Sequence, residues 1–444
     1  MRRAALMLGA SALCGCSLLV TETTFVEPGS DTGVDAALDA DVGAEDSGPA
    51  DARILDAGDD AGIDGGPPAT IEEIVVGPAH ACVIDSRGRL ICWGANLLGA
   101  LATGDTSPVM GPRVVELGAA VTHAGGNASH LCAQTTEPAL YCWGANDHGE
   151  VGNGTASAAI VTTPFRHGAL GGARHVAASG RNTCFTSITA VPTCWGRNDE
   201  GQLGLGTTGM PQTEPGGAVQ DSTGDLDGVD FGAVGDRHSC FRFADGTLQC
   251  VGANADGQLG RGNTNPSSVS EPVPGMTDVT SLSLASGHTC AVDAGTVYCW
   301  GLNDLGQVRP GAAPSAVLSP TAVAGVGAAS QVATARGFSC ALLSTGEVTC
   351  WGSRQHGGLG DGMPADDVSV SAPVMVSGLT NVATIQASYE HLICALTNDA
   401  ELYCWGEDAI SMVGGPPPGA ATVFLDGETI HTAPVRVDPL AAVP

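Results

Sequence analysis

Short stretches of alternating apolar and polar residues recur along most of the chain. Residues 279–284 mostly alternate, which predicts a strand with one buried face. A turn is predicted at 286–287, a second strand at 289–292 and a third strand at 296–300. The hairpin turn at 293–295 ends in Gly, which supplies the positive φ that tight hairpins need. The pattern therefore predicts a unit of short strands joined by tight turns.

This unit occurs seven times, and each copy has two cysteines that flank the predicted hairpin turn. Successive first cysteines are 50, 52, 56, 50, 50 and 54 residues apart. Six of the second cysteines are followed by Trp, Val251 takes that place once, and Gly follows in all seven copies. A period of this size indicates a propeller or a solenoid array. The pairs are Cys82 with Cys92, Cys132 with Cys142, Cys184 with Cys194, Cys240 with Cys250, Cys290 with Cys299, Cys340 with Cys350, and Cys394 with Cys404.

A Gly-rich loop follows each Trp-Gly step, and a Pro-led apolar segment such as 112–115 follows the loop. We place this segment at the start of the next repeat. The first repeat begins at Ile71 without one, and one is left over at 434–437. We therefore expect the chain end to complete the first blade and to close a seven-bladed ring over residues 71–440. Closure removes exposed sheet edges.

Composition narrows the possible chemistry. The chain has 444 residues and a formal charge of −30, and all 17 of its basic residues are Arg. The absence of Lys excludes Schiff-base chemistry and a phosphate-loop lysine, so we predict no cofactor. Strong acidity also argues against a nucleic-acid partner, because such binding depends on neutralising phosphates. Length alone suggests two or three domains, but seven repeats can form one body.

The first sixteen residues have the features of an export signal. Two Arg residues precede an apolar run that is too short to span a bilayer. The run ends in Leu13-Cys14-Gly15-Cys16, which resembles the bacterial lipobox. This resemblance implies a signal peptide at 1–15, lipidation of Cys16, and a chain anchored to the cell envelope at the outer membrane or cell surface. The alternative is an ordinary signal peptide that ends nearby.

Residues 16–70 are predicted to be a disordered acidic tether rich in Asp, Ala and Gly. Thirteen acidic residues and one Arg occur within 20–70, so there is too little apolar surface to bury. The ordered Asp spacing of a calcium loop is absent. A solvated spacer is therefore favoured over a calcium site.

The cysteine count fits this organisation. Cys14 leaves with the signal peptide and Cys16 is lipidated, which leaves seven pairs. Partners that bracket a hairpin turn lie opposite each other on adjacent strands, close enough for a disulfide, and export permits oxidation. The spacing does not match the Cys-x2-4-Cys knuckles of structural zinc sites. We expect seven disulfides, each within one hairpin.

A histidine two residues before the first cysteine recurs as His80, His130, His238 and His288. A metal or catalytic role is one interpretation. Equivalent residues on separate blades would not form one site, so we expect these imidazoles to cap the backbone of turns or strands. The six Trp residues are expected to pack between blades. We predict no catalytic, metal or cofactor-binding residue.

The composite pattern Gly-x-x-His-[Ser/Thr]-Cys-Ala-x4-Gly-x-Val-x-Cys-Trp-Gly-x-Asn-x-x-Gly-Gln-Leu-Gly-x-Gly resembles the repeat of the regulator of chromosome condensation family. The resemblance covers roughly residues 71–440 and implies an all-β fold, a seven-bladed β-propeller. The paired cysteines depart from the eukaryotic members. The founder's exchange activity and chromatin binding rest on loops and a basic tail whose residues cannot be carried over to this sequence, and the N-terminal tail here is acidic.

Three functions follow from these observations. The first is a monomeric, non-enzymatic scaffold that binds an unknown protein or glycan, with the irregular segments 207–230 and 407–432 as candidate contacts and a lipid anchor as its membrane contact. The second is a lyase or hydrolase acting in the central channel. The third is guanine-nucleotide exchange by family analogy, which an acidic exported chain does not favour.

Overall fold

The computed structural model describes residues 68–440 except 79, 127–128, 169, 171, 312–313, 367, 409–421 and 426–427. These residues form seven sheets built mainly of antiparallel strands, and the first strand of every sheet lines one channel. The predicted all-β, seven-bladed propeller is confirmed. The predicted signal peptide, Cys16 and the predicted tether up to residue 67 lie outside the described residues. In the described part, no helix has the length and apolar character needed to cross a bilayer.

Each blade takes its strands from one continuous stretch of chain. Blades one to three contain Ile71–Val76, His80–Asp85, Leu90–Gly94 and Val109–Val115; Val121–Gly125, His130–Thr135, Leu140–Gly144 and Val161–Arg166; and Ala173–Ser179, Asn182–Ser187 and Pro192–Gly196. Blades four and five contain Val229–Val234, His238–Phe243, Leu248–Gly252 and Ser267–Pro272; and Val279–Leu284, His288–Asp293, Thr296–Leu302 and Ala316–Ala322. Blades six and seven contain Ala329–Ala335, Phe338–Leu343, Val348–Gly352 and Val374–Met375; and Val382–Ala387, Leu392–Thr397, Leu402–Asp408 and Glu428–Val437.

Four short elements accompany these strands. A 3-10 turn, Gln355–Gly357, lies in the blade-six loop, and Thr422–Leu425 pairs with Glu428–Val437 at the edge of blade seven. Gln220–Asp221 and Gly224–Asp225 form a hairpin after blade three, and Gln220–Asp221 pairs with the fourth strand of blade four.

The prediction that 434–437 completes the first blade is wrong. Glu428–Val437 pairs with Leu402–Asp408, so it is the fourth strand of blade seven. Val109–Val115 likewise pairs with Leu90–Gly94 of its own repeat. The physical reason is proximity along the chain. A Pro-led segment is separated from the hairpin of its own repeat by a single loop. The third strand of that repeat has an unpaired edge, with which the segment can form backbone hydrogen bonds.

The ring closes by side-chain packing between blades one and seven. Ile71, Ile74 and Trp93 of blade one share a buried apolar cluster with Leu396 and Val437 of blade seven. Among the described residues, no strand pairs across this junction. Burial of these apolar side chains contributes to the stability of the junction between the first and last blades.

All seven predicted cysteine pairs are disulfides in the structure. In each pair the two cysteines are direct partners on adjacent strands, and their Cα atoms lie 4.0 to 4.1 Å apart. Closing a loop of this length stabilises the folded state by about 2 to 3 kcal/mol in the chain-entropy model. Each bridge fixes the register of one hairpin and joins no two blades. The bonds join Cys82 to Cys92, Cys132 to Cys142, Cys184 to Cys194, Cys240 to Cys250, Cys290 to Cys299, Cys340 to Cys350, and Cys394 to Cys404.

The Gly of each Trp-Gly step is required by close backbone contact. Gly301 has a φ of 103°, and a Cβ at this position would lie 2.4 Å from the carbonyl oxygen of Gly287. Both conditions exclude an ordinary side chain. The chain therefore turns sharply after Trp300 and enters the loop that leads to the fourth strand.

Candidate functional site

One end of the propeller carries the loops between the third and fourth strands of the blades, together with the turns between the first and second strands. We call this end the loop face. In blade four, Asn254 organises the loop: its Oδ1 accepts the N–H of Leu259 at 2.9 Å, and its Nδ2 donates to the carbonyls of Asn263 and Asn265, each at 2.9 Å. Four other blades use an equivalent residue. These are Asn96, Asn146, Asn198 and Asn303. The recurrence of Asn two residues after the Trp-Gly glycine was the sequence signal for this role.

The loops of five blades receive hydrogen bonds from the next blade. Trp300 of blade five donates its Nε1–H to the carbonyl of Gln258 in the blade-four loop at 2.8 Å. Thr289 donates its hydroxyl to the same carbonyl at 3.0 Å. Four further indoles make the equivalent bond, and these are Trp143 to Ala100, Trp195 to Glu150, Trp351 to Gln307 and Trp405 to Gly358. The expected packing of Trp between blades is correct, and the indole N–H adds a directional contact to it.

The recurrent histidines also act between blades. Because the hydroxyl hydrogen of Thr289 is used by Gln258, the Nε2–H of His238 donates to Thr289, at 2.8 Å. Two other junctions between blades have the same series of hydrogen bonds, from imidazole to hydroxyl to backbone carbonyl. They are His130, Thr183 and Glu150, and His288, Ser339 and Gln307. For His130, His238 and His288 the imidazole partner is therefore a hydroxyl of the next blade, and the prediction that they cap backbone is wrong for these three. The partners are about 50 residues apart in sequence, so local patterns do not indicate them.

These imidazoles are held neutral. Burial lowers the pKa of His130 and of His238 to about 3, and it lowers the pKa of His80 and of His288 to about 4. The physical cause is the loss of hydration that a charged imidazolium would suffer in the core. A neutral, buried histidine with a fixed partner is a structural element, and it is not available to ligands at the surface.

The blade that lacks Trp is completed by an insertion. Gly260 faces the indole of Trp300, whereas the equivalent Gly204 faces Val219 and Val251. Val219 belongs to the predicted contact segment 207–230 and is fully buried. This part of the segment therefore fills the space of the missing indole. Most of the second predicted contact segment, 407–432, lies outside the described residues.

The loop face carries most of the exposed large apolar side chains. Eight such side chains are exposed among the described residues, and five of them lie on loops between third and fourth strands. These five are Leu97, Leu98, Met210, Met363 and Val368. Met210, in the blade-three insertion, is 79% exposed. Ile188, which is 65% exposed, lies in a hairpin turn at the opposite end of the ring.

The channel has a volume of about 660 Å³ and is lined by the seven first strands. The third residue of each strand follows a β-bulge, and these positions differ from blade to blade. They are Glu73, His123, His175, Phe231, Ser281, Gln331 and Thr384. Several polar side chains at these positions accept hydrogen bonds from backbone N–H groups of the next blade. Ala124 donates to Glu73 at 3.1 Å, Val332 to Ser281 at 3.1 Å and Ile385 to Gln331 at 2.9 Å.

One acid–base pair lies within this ring. His123 Nδ1 is 3.3 Å from Glu73 Oε2, and the hydrogen bond to Glu73 raises the pKa of His123. The pKa of neighbouring His175 is lowered by burial. The pair has a proton donor and a carboxylate, but both oxygens of Glu73 already have partners.

A second polar group joins blades six and seven on the loop face. His356, His391 and Glu407 place one potential metal-ligand atom each within 4.8 Å of one another. Sequence reasoning predicted no metal residue and missed this group, because each member occurs in a poorly matching copy of the repeat.

Comparison with known proteins agrees with this architecture. A model of the regulator of chromosome condensation (RCC1) repeat matches residues 71–100 and 230–258. The ultraviolet-B receptor UVR8 of Arabidopsis thaliana is 29% identical over 189 residues, which are 41% of this chain and 42% of the receptor. An RCC1-like G exchanging factor-like protein of Mus musculus is 32% identical over 206 residues, 43% of this chain and 44% of that protein. The mouse E3 ubiquitin-protein ligase HERC2 is 29% identical over 229 residues, 50% of this chain and 4% of the ligase.

Solved structures show the same fold. Yeast RCC1 (Prp20), from its complex with Kap60, superposes with a TM-score of 0.66 at 20% identity, covering 78% of this chain and 83% of that one. Human WBSCR16 superposes with a TM-score of 0.65 at 22% identity, covering 79% and 94%. The described chain is thus a seven-bladed propeller with the fold of these structures, and its segments 71–100 and 230–258 match the regulator of chromosome condensation repeat that the sequence resembles.

Proposed function

We propose that this chain is a non-enzymatic scaffold that binds a protein through its loop face. The observation that carries the proposal is the location of the exposed apolar side chains, of which Leu97 and Met210 are the most exposed on this face. Exposed apolar groups grouped on one face of a protein are typical of interaction sites, and Met is enriched at interfaces. The recurrent Trp, His and Asn residues are used inside the ring, which leaves the loops free to vary.

The proposal includes attachment to a bacterial cell envelope through Cys16. The lipobox-like residues 13–16 and the acidic segment that follows them support this location. Seven disulfides support it as well, because such bonds persist in oxidising compartments outside the cytoplasm. A lipid on the N-terminal cysteine and a long tether would hold the propeller near a membrane while its loop face remains accessible.

Crosslinking on intact cells, followed by mass spectrometry, tests the binding proposal. The coupling must use carboxylates, because the chain has no Lys, and Asp105 and Glu200 supply them on the loop face. We expect a specific protein to be crosslinked through loop-face peptides. Substitutions Leu97→Asp and Met210→Asp should abolish this product.

Ile188→Asp is the matched control, since Ile188 is as exposed as Leu97 but lies at the opposite end of the ring. It should leave the crosslinked product unchanged. Equal yields from all three variants would contradict the proposal, as would crosslinks confined to the hairpin turns of the opposite end. The location is tested separately, by mass analysis of the mature N-terminus for acyl groups on Cys16.

The Glu73–His123 pair favours a second candidate, a lyase or hydrolase that acts in the channel. A raised histidine pKa beside a carboxylate suits general acid–base chemistry. This candidate predicts that Glu73→Gln abolishes a measurable turnover without altering crosslinking through the loop face. The scaffold proposal predicts that Met210→Asp abolishes crosslinking through the loop face and leaves any turnover unchanged.

A further inference from the structure

The His356, His391 and Glu407 group is built from two blades. His356 lies in the 3-10 turn of the blade-six loop, His391 directly precedes the second strand of blade seven, and Glu407 is in the third strand of blade seven. Glu407 Oε2 lies 3.0 Å from Nδ1 of His391 and also contacts Nδ1 of His356. The two imidazole rings stack with centroids 3.8 Å apart and an interplanar angle of 6°. Both Nδ1 atoms therefore converge on one carboxylate oxygen.

The backbone holds these side chains in place. Glu407 donates its N–H to the carbonyl of His391 at 3.4 Å, which sets the carboxylate beside that imidazole. His356 has a φ of 66° and a ψ of 10°, a left-handed conformation that side-chain-bearing residues seldom adopt. A hydrogen bond from the N–H of Gly357 to the carbonyl of Arg354, at 3.0 Å, closes this turn. Such conformations persist where the surrounding structure enforces them, often at binding sites.

The three residues occur together at one junction only among the described residues, and the repeat does not require them. At the positions equivalent to His356, His391 and Glu407, blade five has Leu305, Gly287 and Leu302. Three of the recurrent histidines, by contrast, bond to hydroxyl groups inside the ring. Two imidazoles and a carboxylate, taken from three separate segments, thus meet at one point that the propeller architecture itself does not require.

We propose that His356 Nδ1, His391 Nδ1 and an oxygen of Glu407 bind one divalent cation of the zinc class. Two imidazoles and one carboxylate are a common ligand set for such ions, which lie about 2.0 to 2.2 Å from each ligand atom and complete their coordination with water. The ligand atoms lie within 4.8 Å of one another, so small side-chain shifts give this geometry. The three side chains are 14% to 27% exposed, and an ion can therefore reach them from solvent.

Metal titration of the full-length chain, purified without an affinity tag and stripped with a chelator, tests the site. Zn²⁺ alone is followed by calorimetry, and Co²⁺ alone by its visible absorption, which reports the ligand set. We expect one saturable site per chain. Since loss of a residue that only supports a metal ligand weakens binding 10- to 100-fold, loss of a ligand in His391→Ala or Glu407→Gln should weaken it by about 100-fold or more.

His148→Asn is the matched control. His148 occupies the position of His356 in the blade-two loop, with Nδ1 3.5 Å from the carboxylate of Glu150, but among the described residues it belongs to no group of three potential metal ligands. This variant should bind Zn²⁺ as the wild type does. Thermal unfolding of every variant without metal shows whether it folds, and Zn²⁺ should raise the midpoint of the wild type and of His148→Asn only. Equal Zn²⁺ binding by all forms, or no saturable binding by the wild type, would overturn the proposal.

Discussion

The indole nitrogen of Trp300 lies 2.8 Å from the backbone carbonyl oxygen of Gln258 in the preceding blade. Thr289 donates to the same oxygen, so both lone pairs of a buried carbonyl are used across one junction between blades. Apolar packing alone does not specify how neighbouring blades are aligned. The paired donors add direction to the contact, and they recur at two other junctions, on the carbonyls of Glu150 and Gln307.

We predict that Trp300→Phe lowers the free energy of unfolding by more than about 1 to 2 kcal/mol, because the carbonyl keeps only one of its two donors and the smaller ring leaves a cavity at a fully buried position. Adding Thr289→Val should cost more than the sum of the single changes, since the carbonyl is then buried without a partner. Urea unfolding of the single and double variants measures both quantities. Tyr298→Phe, on the same strand as Trp300, is a control that should change stability by less than Trp300→Phe. Strict additivity would show that the two donors do not act on a common acceptor.

The place of the missing indole gives a second prediction. Val251→Trp should destabilise the chain by about 1 to 3 kcal/mol, because Val219 already fills the space beside Gly204. Val219→Ala alone should also destabilise, through a cavity in the same place. The double variant should be more stable than the sum of the two changes predicts. Additive effects in this double-mutant cycle would show that Val219 does not substitute for the indole.

The buried histidines predict acid sensitivity. Their pKa values in the folded chain, about 3 for His238 and about 4 for His288, are below the unfolded value of about 6.5. The unfolded chain therefore binds more protons as pH falls below 6.5, and the folded state loses stability on that side. Each such histidine contributes a slope of about 1.4 kcal/mol per pH unit between roughly pH 4.5 and 6. Urea midpoints across this range measure the total slope.

His238→Asn should reduce that slope by about 1.4 kcal/mol per pH unit. Asn is chosen because blade three has Asn182 at this position, where Nδ2 donates to two carbonyls at 3.2 Å. His123→Asn is the control, since the pKa of His123 is raised and its removal cannot reduce the slope. An unchanged slope in His238→Asn would mean that His238 is protonated in the folded chain.

How much of this was predictable depends on the distance between partners along the chain. Each cysteine pair brackets one short turn, so Cys240 and Cys250 were correctly predicted to face each other. The fourth strand was assigned to the wrong blade because a Pro-led segment lies between two hairpins in sequence, and only the free strand edge decides between them. The contact of His238 with Thr289 joins residues 51 apart, and no local pattern encodes it.

The candidate site was harder to predict for a related reason. Repeats reveal what every blade shares, which is the architecture. Residues that differ between blades, such as His356 and Glu407, look like imperfect copies until the ring brings them together. The same holds for the channel positions, where Glu73 and His123 occupy equivalent places in neighbouring first strands.

The fourth prediction concerns the disulfides. The seven pairs are buried, so a mild reductant should leave them intact in the folded propeller and reduce them after unfolding. Peptide mapping without reduction should recover seven hairpin peptides, each with its own internal bridge. Removal of one bridge by Cys240→Ala with Cys250→Ala should cost about 2 to 3 kcal/mol. Bridges between different repeats, or thiols that are labelled in the folded propeller, would contradict the pairing.

Each blade is formed by one uninterrupted stretch of chain, so the same ring of blades could form from a chain that starts at a different blade. A gene that started at blade four and joined the present ends by a short linker would encode the same circle with its gap elsewhere. Duplication or loss of one unit would likewise leave intact the strands that each remaining blade takes from its own repeat. Such a ring can change its number of blades, or exchange single loops and so bind new partners, while the remaining blades keep their own strands.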